Sequence, residues 1–318
     1  MSNTLEVKDL NTYFKSDFGS IKALENISFY IKEGEVLALV GESGSGKTVT
    51  SLSIMGLLPP NGFIEKGKIA LLTKNNTQIN ILELSEKKLN QIRGNDVSMV
   101  FQEPMTCLNP TMTVGNQIIE VITNHKNISF SAAKKEMIEL LKLVEIPEPE
   151  QRSIEYPHQL SGGMRQRIMI SIALACEPKL IIADEPTTAL DVTIQAQLLD
   201  LLKKLKNSLV SKTSILFITH NLGILARYAH RINVMYAGHL IESGTTDQIF
   251  YSPKHPYTSG LLNSVPRLDL KTDLDLPTIP GEVPNLTEFG NGCAFRSRCS
   301  NPTNECINEK SEMKLIEI

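Results

Sequence analysis

The chain has 318 residues, 41% hydrophobic and 21% charged, enough to bury the core of one large domain or two modest ones. A net charge of −3 and 5% aromatic content supply neither a basic field nor stacking platforms, which argues against DNA or RNA as partner. No apolar run approaches the roughly 18 residues of a membrane-spanning helix, and the N-terminus lacks a basic segment followed by an apolar stretch, so a soluble intracellular chain is expected.

In chain order, Leu5-Glu-Val-Lys-Asp-Leu10 and Ile27-Ser-Phe-Tyr-Ile31 alternate apolar with polar, as half-exposed antiparallel strands do. Glu33-Gly34 then turns the chain into Val36-Leu-Ala-Leu-Val40, an unbroken apolar run that reads as a buried strand. Directly after it comes Gly41-Glu-Ser-Gly-Ser-Gly-Lys47-Thr48, a P-loop preceding the helical stretch Val49–Met55. Glycines let the loop curl until the N–H groups of Gly44, Ser45, Gly46 and Lys47 face one concavity. The helix N-terminus adds its dipole, Lys47 brings a charge to the β- and γ-phosphates, and the Thr48 hydroxyl is suited to Mg²⁺. A nucleoside triphosphate is the expected ligand.

Gly67-Lys-Ile-Ala-Leu-Leu72 reads as a further strand, closed by the polar turn 73–77. From about 114 to 145 the apolar spacing becomes helical, clearest in Ala132–Val144, and Pro147 and Pro149 end it. Leu180-Ile-Ile-Ala183 and Ser214-Ile-Leu-Phe-Ile-Thr219 read as central parallel strands around an amphipathic helix through Gln195–Leu205. Past about 250 the composition turns to Pro, Asn and Asp, the mark of a loop-rich extension. The expected fold is α/β: a P-loop NTPase core of mostly parallel sheet flanked by helices. An N-terminal antiparallel β layer, an inserted helical subdomain at about 103–167 and the C-terminal extension complete it. The domain boundary is expected at 252/253.

Two further motifs narrow the chemistry. Leu160-Ser161-Gly162-Gly163-Met164-Arg165-Gln166 opens a second helix at a glycine pair, which implies a second anion site. Asp184-Glu185 ends the strand 180–183 at the sheet edge where ligands of open α/β sheets collect. In the order P-loop, Gln102, Leu160–Gln166, Asp184-Glu185-Pro186, Ala189-Leu190-Asp191 and His220, the chain resembles the ATP-binding cassette ATPases over roughly residues 5–250.

The resemblance implies ATP and Mg²⁺ and assigns roles residue by residue. Phe14, or its neighbour Tyr13, falls where an aromatic stacks on adenine, and Gly41, Ser43 and Thr50 count with the P-loop contacts. Gln102 resembles the glutamine that ligates Mg²⁺ and couples the site to a membrane partner. Asp184 resembles the carboxylate of the Mg²⁺ shell, Glu185 the general base on the attacking water, and His220 the histidine that contacts the γ-phosphate. Ser161, Gly162 and Gly163, with Asp191, would close over ATP held by a second cassette, so the resemblance implies a dimer.

Thr187–Gln197, His255-Pro-Tyr-Thr258 and Ile279-Pro-Gly-Glu-Val-Pro284 are similar to the ATP-binding subunits of oligopeptide, dipeptide and nickel importers, and extend the match to nearly the whole chain. That branch implies a paralogous second ATPase, two transmembrane permeases and an extracytoplasmic binding protein as partners, on the cytoplasmic face of the membrane. The transported solute is then a peptide, with nickel or a metallophore as the alternative. A soluble cassette ATPase of translation or repair is opposed by the single P-loop and the absence of sustained heptads. A small-molecule kinase is opposed by the Leu160–Gly163 run and His220. Cys293, Cys299 and Cys306 resemble the branch's [4Fe–4S] cysteines, but the fourth is absent, so a cluster, bare thiols and zinc all stay open. Cys107 and Cys176 read as reduced residues of the main body.

Overall fold

The computed structural model describes residues 2–17, 19–102, 104–186, 213–265, 278–284 and 292–308. The amphipathic helix expected through Gln195–Leu205, and Asp191, lie outside the described residues. By internal contacts the chain forms two compact units, the first of residues 1–6, 30–35 and 70–218, the second of 7–29, 36–69 and 219–318.

Two long strands, β1 (Asn3–Ser16) and β2 (Gly19–Lys32), run through both units. They are hydrogen-bonded neighbours joined by two residues, which only an antiparallel pair allows. With β4 (Gly62–Leu72) and β5 (Gln78–Asn80) they form a four-stranded sheet in the order β2-β1-β4-β5, the expected N-terminal layer. The alternation at 5–10 and 27–31 marked only part of each strand, leaving out 11–16 of β1 and 19–26 of β2. The strand state of those stretches comes from pairing with neighbours, which single-strand periodicity does not carry.

In the first unit, β6 (Val97–Val100), β7 (Leu180–Asp184) and β8 (Ser214–Thr219) run parallel, with Val100 opposite Ala183 and Asp184 opposite Ile218. Every residue of β7 and β8 is buried, which is why both read as continuous apolar runs. The helical insertion carries α3 (Pro104–Cys107), α4 (Val114–His125), α5 (Phe130–Leu143) and α6 (Pro149–Arg152), after α2 (Glu86–Ile92). The helical spacing expected over about 114–145 is carried by two helices, α4 and α5, each with its own cap. The Thr113 side chain accepts from Asn116 N–H, and that of Ser129 from Ala132 N–H. Following the insertion, α7 (Gly162–Leu174) packs on α3, α4, α5 and β6.

In the second unit, β3 (Val36–Val40) is wholly buried and pairs in parallel with β9 (Arg231–Tyr236), which pairs antiparallel with β10 (His239–Thr245). Helix α1 (Lys47–Met55) follows β3, and α8 (Leu222–Tyr228) precedes β9. Helix α9 (Thr246–Tyr251) follows β10, and the extension contributes α10 (Pro256–Asn263) and α11 (Glu305–Asn308). Among the described residues no helix is long and apolar enough to cross a membrane.

Candidate functional site

The P-loop leaves β3 at Gly41 because no side chain fits there: a Cβ would lie 2.2 Å from the Met235 carbonyl oxygen and 2.7 Å from Ser45 Oγ. Gly46 caps α1 at φ 101°, where L side chains are strained, and a Cβ would meet Leu24 Cδ2 at 2.7 Å. Ser45 is buried, Ser43 and Gly44 are exposed, and Thr48 is exposed at the start of the helix. Lys47 is 96% buried, and its Nζ folds back to donate to the carbonyls of Gly41 and Glu42, both at 2.9 Å, and lies 3.5 Å from Ser45 Oγ. The loop thus closes around its own cation.

Thr50, expected among the nucleotide contacts, sits one turn into α1. It is fully buried, and its hydroxyl donates to the Gly46 carbonyl at 2.9 Å and sits 3.8 Å from Met235 Sδ. One turn into the helix, it fastens α1 to the loop and to β9.

Between Phe14 and Tyr13 the structure separates two faces. Thr12 is buried with its hydroxyl 3.1 Å from that of Ser53 in α1, so alternation along β1 puts Phe14 on the α1 side, over Gly62. Tyr13 faces the other way, stacked on Phe63 at 5.7 Å with Lys22 Nζ 5.6 Å from its ring centroid.

In the first unit, Asp184 ends β7 and is 98% buried. Glu185 follows in the left-handed region at φ 44°, its N–H donating to Ile218 O at 2.9 Å. Gln102, two residues beyond the end of the parallel neighbour β6, donates from Nε2 to Glu185 Oε2 at 3.3 Å. Gln166, 99% buried on α7, donates from Nε2 to Pro186 O at 2.6 Å. Sequence reasoning placed Gln166 in a motif but missed this contact, because a polar helical residue carries no signal that it is buried. At the N-terminus of α7, Ser161 and Gly162 are exposed, and the Ser161 side chain accepts from Met164 N–H at 3.3 Å. Nothing lies within 4 Å of where a Cβ on Gly162 would stand. Buried Leu160 anchors the segment from below.

In the second unit, His220 directly follows the end of β8 and is exposed. Beside the P-loop stands a cluster the sequence gave no reason to expect. Arg298, 91% buried, makes a forked pair with Glu42, Nη1 to Oε2 at 2.7 Å and Nη2 to Oε1 at 3.2 Å. The guanidinium also donates to the carbonyls of Pro280 and Ile279, at 3.0 and 3.1 Å. The Glu42 carboxylate holds it protonated well above the ordinary arginine range. Tyr257, fully buried, accepts from Glu42 N–H at 2.8 Å, and burial pushes its phenol far up. Tyr236, Tyr257 and Phe295 pack edge to face around the pair, with ring centroids 4.7–5.3 Å apart.

The donor sets test the expected metals differently. Thr48, Gln102 and Asp184 offer hydroxyl, amide and carboxylate oxygens, the hard donors Mg²⁺ takes. The extension's three thiols are one ligand short of the four a [4Fe–4S] cluster takes. All five cysteines are free, and among the described residues no group of three or more His, Cys, Asp or Glu is arranged around a metal position. His255 Nε2 lies 3.9 Å from Cys293 Sγ, but it is no substitute ligand. Its Nδ1 accepts Tyr257 N–H at 3.1 Å, which leaves the proton on Nε2 and makes that nitrogen a donor toward sulfur. Burial raises the Cys293 thiol's pKa and so favours its neutral form.

Comparison with known proteins agrees with this geometry. A family model described as "ABC transporter" matches residues 24–188, and one described as "Oligopeptide/dipeptide transporter, C-terminal region" matches 241–306. The chain is 52% identical over 301 residues to the oligopeptide transport ATP-binding protein OppD of Bacillus subtilis (strain 168), covering 94% of this chain and 82% of that one. It is 51% identical over 302 residues to the dipeptide transport ATP-binding protein DppD of the same organism, covering 95% and 88%. Among solved structures, the ADP- and Pi-bound dimeric cassette MJ0796 in a post-hydrolysis state superposes with a TM-score of 0.66 at 29% identity, over 76% of this chain and 98% of that one. A P-loop closed on Lys47, an acidic pair ending β7 and an open glycine-rich helix start thus occur in a chain half identical to known cassette subunits. The chain belongs to the ABC transporter ATP-binding family, in the branch that carries the oligopeptide/dipeptide transporter C-terminal region.

Proposed function

We propose that this chain is the ATP-hydrolysing subunit of an importer for peptides, working through partner membrane permeases. The observation that carries the reading is the constellation ending β6 and β7: Glu185, turned out by a left-handed backbone, receives Gln102 beside buried Asp184. The names of the relatives and the match of the C-terminal region favour a peptide over nickel or a metallophore as cargo.

In this reading the P-loop amides and Lys47 hold the phosphates, and Lys47 gives up its loop carbonyls to do so. Phe14 offers the ring for adenine. Thr48, Gln102 and Asp184 would hold Mg²⁺, which neutralises phosphate charge when bound. Water attacks the γ-phosphorus, the bond to the bridging β,γ-oxygen breaks with its electron pair leaving on ADP, and the Glu185 carboxylate takes the water proton. His220 steadies the γ-phosphate. The open Ser161-Gly162-Gly163 start of α7 serves ATP on a second cassette, with Asp191 at the same interface, and that cassette is a paralogue.

Two permeases dock on the first unit, where Ile154 at 68% exposure and Tyr156 and Phe101 at 39% and 36% are large apolar side chains in water. A binding protein outside the membrane delivers the peptide, so the chain works at the cytoplasmic face. Functionally the cassette spans 1–252, with the extension at 253–318. The three extension cysteines act as plain thiols. Glu185→Gln tests the core of this account: nucleotide binding persists while steady-state turnover falls at least a hundredfold, on the order expected for loss of a general base. Wild-type turnover in that variant refutes the role of Glu185.

A further inference from the structure

Every polar group of Glu42 is held, and two of the holders, Arg298 and Tyr257, bring in the extension. Its carboxylate takes the forked Arg298 pair, its N–H goes to the Tyr257 hydroxyl, and its carbonyl accepts from Lys47 Nζ. Arg298 lies 256 residues away in sequence and is itself pinned by the Ile279 and Pro280 carbonyls and by Tyr236 OH at 3.4 Å. Its guanidinium centre stands 5.8 and 5.9 Å from the Tyr236 and Phe295 ring centroids. A lysine could not reproduce this, because only the planar fork satisfies both carboxylate oxygens and two backbone carbonyls together.

We infer that Arg298 and Tyr257 are positioning residues for the nucleotide site: through Glu42, the extension sets the shape of the P-loop and hence its affinity for ATP. The inference rests on the nucleotide-binding role given to the P-loop above. Lys47 supplies the physical link. Its ammonium is shared between the Gly41 and Glu42 carbonyls, so where Glu42 stands fixes where the cation and the amides after it stand. With Glu42 released, the loop samples arrangements whose amides no longer converge, and ordering them again opposes binding. The extension is then a support for the motor, and any partner or modification that pulled Arg298 away would weaken nucleotide binding with no change at a residue that touches phosphate.

The test is equilibrium titration of the purified full chain with a fluorescent ATP analogue, alongside thermal melting, for Arg298→Met, Arg298→Lys and Tyr257→Phe. Arg298→Met is expected to raise Kd about tenfold and Tyr257→Phe about threefold, as loss of charged and neutral hydrogen bonds to Glu42 would. Arg298→Lys should fall between wild type and Arg298→Met. In the assembled transporter the same variants raise KM for ATP while kcat stays within twofold. Lowered melting temperatures with unchanged Kd would overturn the inference, because a support for the extension alone moves stability and not affinity. Should Arg298→Met fail to fold, the near-isosteric Tyr257→Phe and the charge-preserving Arg298→Lys decide by the same criterion. A wild-type chain that binds no analogue refutes the P-loop reading itself and this inference with it, whereas wild-type binding with unaltered variants refutes only the link.

Discussion

Replacing Gln166 by methionine, which is of similar volume and lacks the amide, should slow catalysis without touching the nucleotide loop. The amide donates to Pro186 O at 2.6 Å from a side chain 99% buried, so its loss leaves a buried carbonyl without that donor, at a cost of about 1–3 kcal/mol. The next residue back is Glu185, whose φ of 44° costs a side-chain-bearing residue about 1–2 kcal/mol. These magnitudes are comparable, so an anchor of this size decides whether the strained turn is kept. A backbone tie, Glu185 N–H to Ile218 O at 2.9 Å, holds the strand side of the turn. We expect kcat to fall about tenfold, the melting temperature to fall by about 2–5 °C, and KM for ATP to stay within twofold. Steady-state hydrolysis in the assembled transporter and a melt of the isolated chain measure all three. A lowered melting temperature with unchanged kcat would show that Gln166 only fills space, and an increase in KM alone would place its effect on the wrong step.

Phe14→Ala should weaken ATP binding by about 1 kcal/mol, the scale of one ring contact, while Tyr13→Ala leaves it within a factor of two; nucleotide titration reads the difference, and equal effects would undo the face assignment. Acid stability carries a signature of Glu25, whose pKa is held down at about 2 by the His239 side chain, Nε2 to Oε2 at 3.4 Å, against the opposing effect of burial. A depressed carboxylate stabilises the fold above its unfolded value near 4.5 and loses that contribution as pH falls toward 2. Because the pair is partly exposed and screened by solvent, Glu25→Gln should cost only about 1 kcal/mol at pH 6 and little near pH 2, measured by denaturant unfolding across that range. A cost independent of pH would contradict the pairing.

What the sequence disclosed and what it hid divide along physical lines. The P-loop, Asp184-Glu185 and the start of α7 were legible because their chemistry demands fixed residue types at short spacing: glycine where a Cβ would strike Met235 O, a carboxylate pair at a strand end, a serine cap before two glycines. Strands β3, β7 and β8 were legible because burial on both faces writes an unbroken apolar run. The burial of Thr50 was hidden because a hydroxyl one turn into a helix looks the same facing a phosphate or its own backbone. Which face of β1 Phe14 and Tyr13 take needed the contact of Thr12 with Ser53 in α1, which periodicity cannot name. Arg298 was invisible for the strongest reason: its partner lies 256 residues away, and an arginine in a polar loop-rich segment reads as solvated until the fold desolvates it.

The central claim is that ATP is enclosed by two cassettes, each giving half of the site. Analytical ultracentrifugation of the Glu185→Gln chain with MgATP, alone and co-expressed with a second cassette subunit, tests it most directly. The account predicts a two-cassette species that appears only with MgATP and is lost when Ser161 is also changed to arginine. A wild-type chain that sediments as a monomer under the same conditions while hydrolysing ATP at the full rate of the assembled transporter would contradict it.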